Sequence, residues 1–438
     1  MNSPISLKQL PQTKLFGKGD VFVLFGELFG RGYASGLVNE ARKAGMEIIG
    51  ITVGRRDENN GLRALNAEEL AAAEVNLGGR IVNLPLMAGF DMDAPAGEPT
   101  PTELLNKMTL KTWEQDTLDW AHIEKCRALG TQRFKDGVAE VMRQLDGMIG
   151  DGRNVFFAHT MAGGIPRAKV FMVIANRIYK GRGDRFMPSQ SLVDSDLGKL
   201  ILQNFDEVSA NTFEHLIEGS AALRARIEAA GGQVRYTAYG YHGTEVLIGN
   251  DYQWQTYTNY TQGYAKMRLE RIAQAAWDKG VKATVYNCPE IRTNSTDVFA
   301  GVELPLIALL RALKKEGGGA WAESQWQACR ALLAEGVTLE DVLQKIADFH
   351  GSAVMQAYRD FAAWPMPNSP AQADLQIGTS EAIVNMHKDR GALTTDLLST
   401  LVLEATGTLM LRESAAPTGP VLWLNHDIIA RQLNQIHS

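Results

Sequence analysis

Short apolar runs alternate with longer amphipathic stretches along most of this chain. The first run, DVFVLFG at residues 20–26, has the length of a buried strand and ends in glycine. Helical periodicity follows at 33–45, and a second strand is predicted at 46–56. The same signals predict further strands at 81–88, 154–164, 233–241 and 281–289, and further helices over 107–149, 198–230 and 263–280. Strand, helix and strand in succession form the βαβ unit, which joins parallel strands.

This alternation sets the expected fold class. Apolar strands separated by amphipathic helices are typical of a parallel sheet that is covered on both faces. We therefore expect an α/β protein with a Rossmann-type doubly wound parallel sheet. Residues 321–438 show several helical patterns and no new glycine fingerprint. We expect them to form a mostly helical C-terminal extension packed on a nucleotide-binding domain at 1–320, which carries insertions at 89–106 and 165–197.

Composition limits the classes of function. The 438 residues include 44 basic and 50 acidic side chains, a net charge of −6, so the chain lacks the positive excess that nucleic acid binding needs. No apolar run approaches the ~20 residues that span a bilayer, so we expect no membrane span and a cytoplasmic protein. The three cysteines and eight histidines are scattered without the spacing of a zinc site, and we expect no metal.

Three glycines stand where the first strand meets the first helix. Gly26, Gly30 and Gly32 have the spacing G-x3-G-x-G, and Gly36 offers the alternative reading G-x-G-x3-G. Glycines at such a turn let the backbone approach a pyrophosphate, and the N-terminus of the following helix adds partial positive charge. The spacing also fits a purely structural turn, and Glu27 places a negative charge near the expected phosphates. The strand–turn–helix context favours a dinucleotide site.

The end of the second predicted strand carries two arginines. A basic residue at this position accommodates the 2′-phosphate of NADP(H), whereas an acidic one bonds the 2′-hydroxyl of NAD(H). Arg55 and Arg56 follow Gly54 here. They could also be a solvated arginine pair. The interpretation that gives them a function predicts NADP(H) as the preferred cofactor, with NAD(H) possible.

A group of tyrosines precedes a lysine at the start of the predicted helix 263–280. Tyr241, Tyr257, Tyr260 and Tyr264 lie upstream of Lys266. An ammonium beside a phenol lowers the pKa of the phenol and can bond the nicotinamide ribose, while the phenol donates a hydrogen bond or proton to a substrate oxygen. Tyrosines this close together are also common in cores and on surfaces. The spacing alone leaves the choice of tyrosine open.

Several segments resemble one family. The chain is similar to the long enoyl-thioester reductases of the short-chain dehydrogenase superfamily, the FabV type and its FabMG relatives. The matching segments, over roughly residues 18–320, are VFVLFGELFGRG, VFFAHTMAGGIPR, AYGYHGTE, YTNYTQGYAK and PEIRTNSTDVFAGVELPL. The Tyr-x8-Lys spacing is the most specific of them. The usual Tyr-x3-Lys spacing of the superfamily is absent, because position 262 is glutamine.

This resemblance implies roles for individual residues. Tyr257 is implied as the catalytic acid, Lys266 as its partner and Tyr241 as a second active-site tyrosine. Thr293 is implied in the loop over the nicotinamide, and Arg31 in the glycine loop belongs to the cofactor site. The interval between Tyr241 and Tyr257 is longer than the family usually shows.

The resemblance also implies a reaction. It is the reduction by NAD(P)H of the trans-2 double bond of an enoyl thioester, carried by acyl carrier protein or coenzyme A, in fatty-acid elongation. Two alternatives stay open. A carbonyl reductase of the same superfamily would use a hydroxyl such as that of Thr244, and a non-catalytic dinucleotide sensor would not need the tyrosine–lysine pair. We expect a monomer or a small homo-oligomer.

Overall fold

The computed structural model of the chain describes residues 5–28, 30, 32–58, 61–166, 168–255, 262–293 and 296–438. Its strands are β1 (Val21–Phe25), β2 (Glu47–Ile51), β3 (Arg55–Arg56), β4 (Leu62–Arg63), β5 (Arg80–Val82), β6 (Val155–His159), β7 (Val234–Tyr239), β8 (Thr244–Ile248), β9 (Asp251–Gln255), β10 (Ala283–Asn287) and β11 (Val421–Trp423). Within the described ranges, seven of these form one parallel sheet in the order β11-β10-β7-β6-β1-β2-β5. The predicted Rossmann-type α/β class is confirmed.

Helices cover both faces of this sheet. They are α1 (Ala34–Lys43), α2 (Ala67–Leu77), α3 (Pro101–Leu105), α4 (Trp120–Met148), α5 (Lys169–Lys180), α6 (Ser189–Asp194), α7 (Asp196–Asp206), α8 (Thr212–Gly219), α9 (Ala221–Ala229), α10 (Gln262–Asp278), α11 (Glu303–Leu306), α12 (Leu309–Lys315), α13 (Gly319–Arg330), α14 (Leu339–Gly351), α15 (Ala353–Gln356), α16 (Pro370–Asn385), α17 (Thr394–Glu413) and α18 (His426–His437). No helix in the described ranges is both long enough and apolar enough to cross a membrane.

The central strand β1 shows why both faces are covered. Its side chains alternate between the two faces of the sheet. Val21, Val23 and Phe25 pack in a core with α4 and α8, whereas Phe22 and Leu24 pack in a second core with α1 and the C-terminal helices. All five are at most 1% exposed. A continuous apolar run is therefore the expected sequence of this strand.

The predicted strands are longer than the observed ones, and two of them show why. The run 46–56 divides into β2 and the separate short hairpin of β3 and β4, because Gly54 turns the chain at φ +74°. A Cβ at Gly54 would lie 2.7 Å from the Cα of Pro85. The run 81–88 is a strand only as far as Val82, after which local hydrogen bonds between alternate residues replace sheet pairing.

The sequence analysis missed one strand of the sheet. β11 pairs in parallel with β10, and the N-terminal segment continues the edge, since Leu7 N–H donates to the Trp423 carbonyl at 3.0 Å. The region 321–438 is mostly helical, as predicted, and it also contributes this strand. Its helix α17 packs along α1. At their crossing, a Cβ on Gly36 would overlap the Leu403 carbonyl, and a Cβ on Gly407 would overlap the backbone of Gly36.

Candidate active site

The chemistry-bearing residues gather at the carboxyl edge of the sheet. The strand order reverses between β1 and β6, and in open α/β sheets ligands bind in the crevice at such a point. Gly26 follows β1, Thr160 follows β6, Tyr241 follows β7 shortly after Tyr239, and Glu290 follows β10. The parallel register places these four positions along one edge. The edge therefore collects the predicted site segments.

The described glycines of the loop differ in what surrounds them. Gly26 has φ of +137°, and a Cβ there would overlap the Thr160 hydroxyl, so only glycine fits. Gly30 and Gly32 have open space where a Cβ would lie, and the first turn of α1 has no side-chain cap. Its N–H groups are thus not held by a side chain, which suits an anion. Gly36 packs against α17, where a Cβ would overlap the Leu403 carbonyl. Arg31 of the glycine loop lies outside the described residues.

The two arginines beyond β2, Arg55 and Arg56, have different surroundings. Arg55 Nη2 lies 2.6 Å and Nη1 2.8 Å from the two carboxylate oxygens of Glu27. This two-pronged ion pair offsets the negative charge in the glycine loop. Arg56 is adjacent on β3 and points to the opposite side, where its charge acts on the buried Asp91 carboxyl. Arg55 therefore contacts the glycine loop through Glu27.

Lys266 is a buried cation in the first turns of α10. It is 7% exposed, and its Nζ donates to the Tyr239 carbonyl at 2.8 Å. Burial lowers the pKa of Lys266 to about 8. His159, buried at the end of β6, bonds the Thr212 hydroxyl at 2.7 Å, and burial followed by the charge of Lys266 lowers its pKa well below the usual value. The histidine is therefore neutral, and Lys266 supplies the positive charge here.

Tyr241 is held beside Lys266 through the backbone. Its hydroxyl donates to Glu290 Oε1 at 3.2 Å, and the Tyr239 carbonyl that Lys266 binds is two residues away. The Tyr239 hydroxyl donates to the Tyr33 carbonyl at 3.2 Å, and the Tyr33 hydroxyl donates to the Pro289 carbonyl. These bonds tie the segments after β7 and β10 to the start of α1. The carbonyl bound by Lys266 and the Tyr241 side chain therefore both lie at the end of β7.

Of the other three predicted tyrosines, the structure describes Tyr264. Tyr257 and Tyr260 lie outside the described residues. Tyr264 is 39% exposed on α10. The antiparallel hairpin of β8 and β9 fills most of the interval between Tyr241 and Tyr257, which accounts for its length. Thr244, the hydroxyl considered for a carbonyl reductase, is buried as the first residue of β8.

Thr293 closes the loop after β10. Its carbonyl accepts hydrogen bonds from the Thr296 N–H at 3.2 Å and from the Thr296 hydroxyl at 2.7 Å. The preceding Arg292 N–H donates to Ser399 on α17 at 2.9 Å. The C-terminal helices therefore fix the loop in which the nicotinamide contact is predicted.

A buried polar group beside this site was missed from the sequence. The His242 imidazole is 1% exposed, bonds the Glu270 carboxylate at 3.1 Å and stacks on Phe361 and Trp364 with centroids 4.3 Å apart. The Asn287 side-chain amide donates to the same carboxylate at 2.8 Å, and its oxygen accepts from the backbone N–H of His242 at 2.7 Å. His242 stands directly after Tyr241, which was the only available signal. The group links β7, α10 and the C-terminal region.

Comparison with known proteins decides the family. The profile of the enoyl-acyl carrier protein reductase FabMG matches residues 3–433. The chain belongs to this family. A solved apo structure of FabMG, described as a novel type of enoyl-acyl carrier protein reductase, is 73% identical over 100% of this chain and 99% of its own, with a TM-score of 0.98. An NADH-bound FabMG structure is 62% identical over 100% of both chains, with a TM-score of 0.82.

Among curated proteins, no match was found. Family membership makes the protein an oxidoreductase that reduces enoyl thioesters of acyl carrier protein in fatty-acid synthesis. The predicted function is therefore confirmed over the carbonyl reductase and the dinucleotide sensor. The described residues contain no group of three or more histidine, cysteine or carboxylate side chains placed to hold a metal ion.

Proposed function

We propose that this FabMG-type reductase carries out its reaction at the carboxyl edge of the sheet, with Lys266, Tyr257 and Tyr241 as its working side chains. The observation that carries the proposal is the buried Lys266 ammonium. It donates a hydrogen bond to the carbonyl of Tyr239, which precedes Tyr241 by two residues. A buried lysine at a ligand-binding edge is costly and needs a functional reason.

A nicotinamide dinucleotide would supply the hydride when bound. Gly26, Gly30 and Gly32, with the uncapped N-terminus of α1, would hold its pyrophosphate. Lys266 would bond the nicotinamide ribose, and Thr293 would contact the nicotinamide. These assignments combine the geometry of the described residues with the family resemblance of the sequence.

The tyrosines would act on the substrate oxygen. Reduction at the β-carbon places negative charge on the thioester oxygen, and a hydroxyl directed at that oxygen lowers the energy of the enolate. Tyr257 is proposed for this hydroxyl, and the Lys266 ammonium would favour proton donation by stabilising the phenolate that remains. Tyr241, held by Glu290 at 3.2 Å, would supply a second hydroxyl.

The finer proposal concerns the cofactor. We propose that NADPH is preferred over NADH, with Arg55 as the residue that meets the 2′-phosphate. Its partner Glu27 competes for the same guanidinium and repels a phosphate, so the preference is smaller than an unpaired arginine would give. The 62% identical relative was solved with NADH bound. Both cofactors therefore need to be compared directly.

The experiment follows the oxidation of NADPH and of NADH at 340 nm with crotonyl thioesters of acyl carrier protein and of coenzyme A. Acetoacetyl-CoA is the matched substrate for carbonyl reduction. We expect turnover with the enoyl thioesters and little with acetoacetyl-CoA. Turnover confined to acetoacetyl-CoA would refute enoyl reduction at this site. The same assay shows which carrier is used.

A further inference from the structure

A cavity lies beside the loop that holds Thr293. The inference about its occupant rests on the proposed function. The cavity has a volume of about 450 Å³, within the range of ~300–1,000 Å³ that is typical of small-molecule sites. The described residues that line it come from α5, from the turn Gly183–Arg185 that follows it, from the segment 292–303, from α16 and from the start of α17. Arg292, which directly precedes Thr293, forms part of its wall.

The walls carry more positive than negative charge. Lys180, Arg185 and Arg292 line the cavity, and Arg185 donates to Asn176 at 2.7 Å, which holds its guanidinium over this region. Arg292 is paired with Asp396 at 2.8 Å. The exposed carboxylate in the wall, Glu381, is bound by Arg182 at 3.0 Å. The cavity therefore suits a ligand with an anionic end.

Its interior offers a different chemistry. Glu303 is 5% exposed, and Ser380 hydrogen-bonds its carboxyl group, while Oε1 has no partner among the described residues. Burial raises the pKa of Glu303, which favours the neutral acid, a hydrogen-bond donor. Such a buried polar group needs a partner, and an amide or hydroxyl of a ligand would provide one.

Apolar side chains complete the lining. Phe299, Val302, Ile377 and Leu393 face the same cavity as Glu303. A purely apolar acyl chain would leave the charged wall and the acid without partners. A nucleotide would need a glycine-rich phosphate loop, which lies elsewhere in this chain. A slender ligand with methyl groups, amides and one phosphate matches all three parts of the wall.

We propose that this cavity holds the 4′-phosphopantetheine arm that carries the enoyl thioester. The phosphate lies against Arg185 and Lys180, the amides reach Glu303 and Ser380, and the gem-dimethyl group packs on Phe299. The arm then passes the loop with Arg292 and Thr293 and delivers its thioester to the edge of the sheet. Acyl carrier protein and coenzyme A share this arm, so its recognition does not depend on the carrier.

The test compares crotonyl thioesters that contain different lengths of the arm. Crotonyl-N-acetylcysteamine contains only the thiol end of the arm. Crotonyl-pantetheine contains the whole arm without its phosphate, and crotonyl-4′-phosphopantetheine contains the arm with its phosphate. Arg185→Ala is expected to raise KM for the phosphorylated arm about tenfold, the effect of losing one charge-assisted hydrogen bond. It should leave kcat/KM for crotonyl-N-acetylcysteamine unchanged. Arg177→Ala is the control, because Arg177 lies on α5 close to Arg185 in the chain but outside the lining.

Carrier-bound substrates separate the possible sources of an effect. With Arg185→Ala, an equal loss with crotonyl-acyl carrier protein and crotonyl-CoA supports recognition of the shared arm. A loss only with the carrier protein would place the contact on the protein surface, and a loss only with coenzyme A would place it on the nucleotide. Either result overturns the proposal. An equal loss of kcat/KM with crotonyl-N-acetylcysteamine, which lacks the phosphate, overturns it as well.

A second measurement uses the wild-type chain. 4′-Phosphopantetheine should inhibit more strongly than pantetheine, and Arg185→Ala should abolish the difference. Equal inhibition by the two compounds in the wild type would overturn the proposal. Neither outcome depends on which tyrosine donates the proton. Failure of the proposed catalytic roles would instead appear as full activity of the Tyr257 or Lys266 variants.

Discussion

Lys266 keeps an ammonium where water is largely excluded, and its titration should be visible in the rate. Since burial lowers its pKa to about 8, the charged form that is proposed to bind the ribose is lost as the pH rises through this value. We expect kcat/KM, which reports the free enzyme, to fall above about pH 8. In Lys266→Arg the side chain stays charged, and the fall should move to higher pH. An unchanged profile in this variant would assign the titration to another group.

The role of Tyr257 has a direct test at the same scale. Tyr257→Phe removes the proposed proton donor, so kcat should fall by ~10²–10⁴-fold, the usual scale of general acid catalysis. Binding of the cofactor, measured by fluorescence titration, should change little. Tyr260→Phe and Tyr264→Phe are the matched controls and should be nearly silent. If Tyr260→Phe is the inactive variant and Tyr257→Phe keeps full activity, the Tyr-x8-Lys assignment is wrong.

The ion pair of Glu27 and Arg55 should set the cofactor preference. Arg55→Ala is expected to lower the ratio of kcat/KM for NADPH to that for NADH by roughly tenfold or more, because one charge-assisted hydrogen bond contributes about 1.5–3 kcal/mol. Glu27→Gln removes the competing carboxylate and should raise the ratio. Arg56→Ala, on the opposite side of β3, is the control with a small effect. A ratio that stays constant in Arg55→Ala contradicts this role.

At the scale of elements, α1 and α17 cross with their backbones in close contact at Gly36 and Gly407. Gly36→Ala places a methyl group on the Leu403 carbonyl, and backbone cannot move aside as a flexible side chain can. Overpacking of this kind costs about 1–3 kcal/mol, so the free energy of unfolding should fall in urea titrations. Gly147→Ala on α4 has open space around its Cβ and should be neutral or slightly stabilising. Equal stability of the two variants would argue against a close crossing.

At the scale of the molecule, the region 321–438 contributes to the same sheet and the same core as the rest of the chain. β11 completes the sheet beside β10, α17 packs on α1, and Trp364 and Trp423 surround His242 next to the active site. We expect a chain that ends at residue 320 to lose cooperative unfolding, because its sheet edge and one core are exposed. Circular dichroism during thermal unfolding measures this. A sharp transition in the shortened chain would show that residues 1–320 fold alone.

The sequence by itself determined the succession of strands and helices, the glycine loop and the lysine at the start of α10. These features depend on periodicity and on the backbone needs of neighbouring residues, so a short window contains them. The family resemblance, in turn, selected Tyr257 and Tyr241. Strand ends were not determined, since Gly54 and its close approach to Pro85 ended a predicted strand that the local pattern continued to residue 56.

Only the tertiary structure decided which side chains meet. Arg55 and Glu27 are far apart in sequence, and so are His242 and Glu270, and neither partner leaves a signal near the other. β11 has three residues, too few for a periodic pattern, and it is a strand because β10 offers it hydrogen bonds. Pairings between distant segments depend on the topology that brings the elements together, and no local pattern records them.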